Sequence, residues 1–168
     1  EAGEHERGLA HVRSARARTD PANGLLAAQA ELALAHAYRF AGDLHACVAQ
    51  ARATSEVATR VQGDPHTIVE AQQIESECRL WLGDEQAAEA IAAAAITALD
   101  GSDLAADLAG RTRFTYAQAA WLGGEPVVAR REAARALQES RDPELVGRIA
   151  AWLARPTAPT PPARDPPR

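Results

Sequence analysis

The chain holds 168 residues (17.8 kDa), of which 46% are apolar, and its 18 basic and 23 acidic side chains leave a net charge of −5. That length suits one domain or one compact repeat array. The acidic balance excludes a bulk nucleic-acid binder, whose phosphate contacts need a positive surface, and no apolar run reaches the ~18 residues of a membrane span.

Alanine supplies 41 residues and aromatics only 4%, so the expected core joins helices at close approach. All 18 basic residues are arginine, which, with the alanine excess, points to a high-GC bacterial source. There is no methionine, and the first residue is Glu1, so the chain is expected to be processed or a piece of something longer. No signal-peptide pattern opens it. Two cysteines make no disulfide framework for a chain of this length. Cys47 and Cys78 are therefore expected as buried, reduced residues in a cytoplasmic protein.

In chain order, helices are predicted over 2–18, 21–41, 44–62, 65–82, 85–99, 103–122, 126–140 and 143–155. Two interleaved signals set these bounds. The pairs Asp20-Pro21, Asp64-Pro65, Ser102-Asp103 and Asp142-Pro143 recur about every 40 residues. An acid or serine caps the free N–H groups of a first turn, and proline fits the first helical position. Between them fall Gly42-Asp43, Gly83-Asp84 and Gly123-Gly124, where glycine can take the left-handed conformation that ends a helix. The segment 85–99 is helical on alanine propensity alone. No stretch alternates for long enough to be a strand. The first helix resembles the second half of a unit and the last a first half, so the array is expected to continue before Glu1. Residues 1–155 thus form one helical repeat domain. Residues 156–168 form a tail, since 155–168 holds six of the ten prolines, and it is expected to be extended or disordered.

Aligned on Gly42, Gly83 and Gly124, the units share small residues. Ala35, Ser76 and Ala117 precede the glycines, and the pairs Cys47/Thr54, Ala88/Ala95 and Ala129/Ala136 follow them. Small residues at such places let paired helices approach to ~8–10 Å. Over residues 21 to about 140 this pattern resembles the tetratricopeptide repeat, with a period near 40 in place of the family's usual 34. Its longer units resemble the repeat regions of large bacterial transcriptional regulators and the carboxy-terminal regions of actinobacterial helix-turn-helix regulators. The resemblance implies an all-α, right-handed superhelix of about eight antiparallel helices, whose first helices line a concave groove.

An aromatic phrase also recurs before each turn, at Phe40, Trp81 and Trp121, and once more at Trp152. In the resemblance this register lies near the concave face, where the rings would stack on a ligand. The alternative is that they seal the gaps between hairpins, with Trp152 capping the last unit. Counted from Gly124 in place of Gly123, Trp121 is one step out of register.

Phosphate-loop, dinucleotide, zincin and nucleophile-elbow motifs are all lacking. His36 and His45 flank one turn but have too few companions for a metal site. Glu70 and Glu77 share a helix face that is expected to be solvated, as is the face of Arg111 and Arg113, although arginines beside Phe114 and Tyr116 could capture a carboxylate. The family's peptide clamps use lysine and asparagine where this chain has Leu32 and His36, so that clamp is not expected.

The expected function is a non-catalytic interaction module, without cofactor or metal, and part of a larger bacterial regulatory protein. It would hold a protein segment, or another domain of its parent chain, along Gln29, His36, Arg39, Phe40, Glu77, Trp81, Arg111, Phe114, Gln118 and Trp121. Direct nucleic-acid binding and membrane attachment are not expected, and a homodimer is possible. The rival expectation is an effector sensor of a transcriptional regulator, with the same groove taking a small molecule or signal peptide.

Overall fold

A computed structural model describes residues 2–20, 23–61, 64–100 and 106–155. Its elements are α1 (Ala2–Ala17), α2 (Gly24–Ala41), α3 (Leu44–Arg60), α4 (Pro65–Leu82), α5 (Glu85–Leu99), α6 (Ala106–Leu122), α7 (Pro126–Glu139) and α8 (Pro143–Leu153). There is no strand among the described residues. None of these helices is long and apolar enough to cross a membrane.

The acid-proline signals act as expected at two places. Asp64 accepts from His66 N–H, and Asp142 from the N–H groups of Glu144 and Leu145, each with proline next in line. At α2 the signal misleads by three residues. Asn23, not Asp20, is the cap, accepting from Leu26 N–H, and the helix starts at Gly24. An amide oxygen closer to the apolar run satisfies the same orphan donors. The Ser102-Asp103 signal and the proline-rich tail lie outside the described residues.

The helices α2, α4 and α6 end alike. Gly42, Gly83 and Gly124 have φ of 74°, 81° and 87°. In each case the glycine N–H bonds three residues back and the next N–H five residues back, as Asp43 does to Tyr38 O at 3.1 Å. This closure satisfies two terminal carbonyls and needs a residue free of Cβ strain.

Each helix packs on its chain neighbours, α2 also touches α4, and α4 touches α6. The second helices α3, α5 and α7 make no comparable contacts with one another among the described residues. The first helices therefore form a continuous layer. The nine aligned small positions, Ala35 through Ala136, are all fully buried, and Ser76 offsets its polarity by donating to Ala88 O at 2.7 Å. Gly110 serves close approach too, since a Cβ there would lie 3.0 Å from Ser140 Cβ on the facing chain.

The cysteine expectation is overturned. Cys47 on α3 and Cys78 on α4 form a disulfide, with Cα atoms 6.5 Å apart. Close helix packing brings the pair into the range that a bridge requires, in a cluster with Ala35, Ala51 and Ile74. The bridge removes the argument for a reducing compartment, which had rested on unpaired thiols.

Candidate functional site

The first helices meet through charge. On α4, His66, Glu70, Gln73 and Glu77 recur at three- and four-residue spacing and share one face. Across from them on α2 stand His36 and Arg39. His36 Nε2 lies 3.0 Å from Glu70 Oε1, and Arg39 Nη1 donates to Glu77 Oε2 at 2.7 Å. His66 approaches the other Glu70 oxygen at 3.5 Å, and Gln73, itself buried, donates to Glu77 at 3.2 Å. The His36 hydrogen bond is the largest influence on Glu70 and holds its carboxyl below the ordinary value, against the opposing effect of burial. The charges of His36, His66 and Arg111 add to the lowering. The face expected to be solvated is thus an inter-helix seam. The Nε of Arg39 is shielded there without an acceptor, a standing cost of the arrangement.

Beyond the seam the layer opens into a polar pocket of about 190 Å³, lined by Arg39, Glu77, Arg111, Asp142, Glu144, Leu145 and Arg148. Four helices, or their caps, supply these groups. Asp142 is already engaged as the α8 cap. No hydrogen bond or ion pair links the Arg111 or Arg148 side chain to another described residue. Planar guanidinium forks can hold a carboxylate by two parallel bonds, and the carboxylates of the pocket can accept from amines or amides.

Of the residues singled out from sequence, Arg39, Glu77 and Arg111 come together here, with His36 next to them on the seam. Gln29 lies exposed on α2, and Gln118 is half-buried on α6. The recurring aromatic residues do not share one environment. Phe40 is 58% exposed, stacks with His36 at 6.4 Å, and lies beneath the Arg39 guanidinium. Trp81 packs on the cluster around the disulfide. Phe114, only 4% exposed, belongs to the core formed by α6, α7 and α8, edge-on to Trp152 at 6.0 Å, and offers no anchor surface. Trp121 is three residues before the left-handed Gly124, whereas Phe40 and Trp81 are two before theirs. That single step turns it about 100° around the helix, and its ring meets Trp152 edge-on at 5.5 Å.

Arg113 also departs from its expected solvated face. It is buried and pairs with Asp100, with Glu132 at 3.3 Å and with Glu139 at 2.8 Å, tying α6 to α7. The residues that sequence reasoning missed are Glu144 and Arg148. Their signal was the position of α8 as a further first helix, whose inner face extends the charged layer.

Among the described residues no group of three or more His, Cys, Asp or Glu side chains is placed to hold a metal ion. Comparison with family models, curated proteins and solved structures gives no match. The likeness to the tetratricopeptide repeat therefore rests on the residues quoted above.

Proposed function

We propose that this chain is a non-catalytic interaction module of a larger bacterial regulatory protein. Its hairpins curve as a tetratricopeptide-like superhelix, and the layer of α2, α4, α6 and α8 holds a protein segment or a neighbouring domain. The carrying observation is the pocket in which Arg39, Glu77, Arg111, Glu144 and Arg148 converge from four helices, where the Arg111 and Arg148 guanidinium groups have no hydrogen bond or ion pair to another described residue. A segment with a carboxylate for Arg111 and Arg148 fits it best. No cofactor, nucleic acid or membrane is invoked. Panning a random peptide library on the wild type and on Arg111→Ala/Arg148→Ala tests the reading. Acid-bearing peptides should be enriched on the wild type and lost on the double variant.

The sensor reading draws support from one feature, the presence of both charge signs within about 190 Å³. That size and polarity suit a small zwitterion, and a thermal shift with free amino acids in the absence of any peptide enrichment would favour it.

A further inference from the structure

The polar pocket holds three guanidinium groups, of Arg39, Arg111 and Arg148, and three carboxylates, of Glu77, Asp142 and Glu144. A ligand carrying one charge of each sign matches that set better than a lone acid. One wall of the pocket is α8, through Glu144 and Arg148. From these two residues an open path runs to the end of the helix. Gly147, Ala151 and Ala154 follow at spacings of four and three, share one side of α8 with them, and are exposed like them. A Cβ placed on Gly147 would meet nothing within 4 Å. No group larger than a methyl therefore stands on the path between Ala154 and the pocket.

The chain leaves α8 at a held corner. Arg155 N–H bonds to Trp152 O, and the Arg130 guanidinium of α7 donates to Leu153 O at 2.8 Å and to Arg155 O at 3.4 Å. Residues 156–168, outside the described structure, follow directly. Among their charges Arg164-Asp165 is the one adjacent pair of opposite sign, and Asp165 is the only acidic residue. Their six prolines favour extended backbone and lack the N–H groups that would need partners. At the extended rise, the ten steps from Arg155 to Asp165 span about 30 Å. The return from Ala154 to Glu144 along α8 takes about 15 Å, and the step across to α6 about 10 Å. The tail is thus long enough to bring its charge pair into the pocket.

We propose that residues 156–168 fold back along α8 and set Arg164-Asp165 in the polar pocket, as an internal ligand that a partner must displace. This rests on the reading of that pocket as a recognition site. The Asp165 carboxylate accepts from Arg111 and Arg148, and the Arg164 guanidinium donates to Glu144. The prolines lie over Ala154, Ala151 and Gly147. Because the tail is tethered to α8, its effective concentration at the pocket is in the millimolar range, so a weak contact suffices to occupy the site.

Two measurements on the full chain test it. The two cysteines are bridged to each other, so Thr160→Cys supplies the single thiol for a nitroxide label. The label should broaden the amide signals of Arg111, Gly147 and Arg148, and adding Asp165→Asn should recover most of the lost intensity at Arg111. In the unlabelled chain, an acid-bearing peptide selected by panning should bind Asp165→Asn about threefold or more tightly than it binds the wild type, because the pocket is no longer filled in cis. Broadening that is absent, or unmoved by Asp165→Asn, overturns the proposal. So does equal peptide affinity for the two proteins, an outcome that leaves the pocket itself standing. A peptide that binds neither protein overturns the pocket reading, and this proposal with it.

Discussion

Arg39 of α2 and Glu77 of α4 sit 2.7 Å apart in a seam that leaves each side chain only 12% exposed. The pair joins two first helices and also forms one wall of the polar pocket. A largely buried ion pair is costly to break from one side, because the partner is left charged and unpaired. Glu77→Gln should therefore lower stability by about 2 kcal/mol, and Arg39→Met/Glu77→Leu by less than the single change. Urea unfolding of the three proteins checks this, and a single variant no less stable than the wild type would contradict it.

The disulfide gives a second expectation. It closes a loop of 31 residues between α3 and α4. In the chain-entropy account, a loop of that size contributes about 3–4 kcal/mol through the unfolded state. Urea unfolding with and without a phosphine reductant should show that difference, and Cys47→Ala/Cys78→Ala should match the reduced protein. Equal midpoints in both conditions would mean that the bridge does not form.

Glu70 sets an acid limb. Its carboxyl is held below its ordinary value, first by the His36 hydrogen bond. A lowered folded value means that the contribution is complete above the unfolded pKa and is lost as pH falls through the folded one. The stability advantage of wild type over Glu70→Gln should therefore be present at neutral pH and shrink as pH drops through the carboxylate range. Melting temperatures of the two proteins from neutral to strongly acidic pH measure it. A constant difference across that range would contradict the pairing.

The two C-terminal tryptophans should separate in size of effect. Trp152 is buried against Phe114, Trp121 and Ile149, in the cluster that closes the array. Trp152→Ala should cost ~3–5 kcal/mol through the cavity it leaves. Trp121, partly exposed, should cost less. Thermal unfolding of both variants, with tryptophan emission before melting, orders them. Equal losses would place Trp121 in the core as fully as Trp152.

Element boundaries were legible because they are set locally. A left-handed glycine such as Gly83 or a capping acid such as Asp142 needs only its own turn to act. The aligned small residues were legible for a related reason, since the hairpin repeat returns the same position to the same interface. What sequence could not supply was the partner of each charged side chain. Glu70 and Arg113 read as solvated because their helices carry many charges. Only the packing of α4 on α2, and of α6 on α7, makes Glu70 half of a partly buried pair and gives the buried Arg113 its carboxylates. Nor could sequence tell that Phe40 would stay exposed while Trp81 packs beside the disulfide, or that α3 and α4 would bring together two cysteines 31 residues apart. Of the residues that line the polar pocket, Arg39, Glu77 and Arg111 were singled out from sequence, while Glu144 and Arg148 awaited the position of α8.

The face between α2, α4, α6 and α8 is proposed as a recognition surface keyed by Arg111 and Arg148. Isothermal titration of the wild type with one acid-bearing peptide selected by panning, repeated on Arg111→Ala/Arg148→Ala, tests it most directly. The account predicts saturable one-site binding to the wild type and a loss of about tenfold or more in the variant, as removal of charge-assisted bonds worth 1.5–3 kcal/mol implies. Equal affinity for both proteins, with the variant folded, would contradict it.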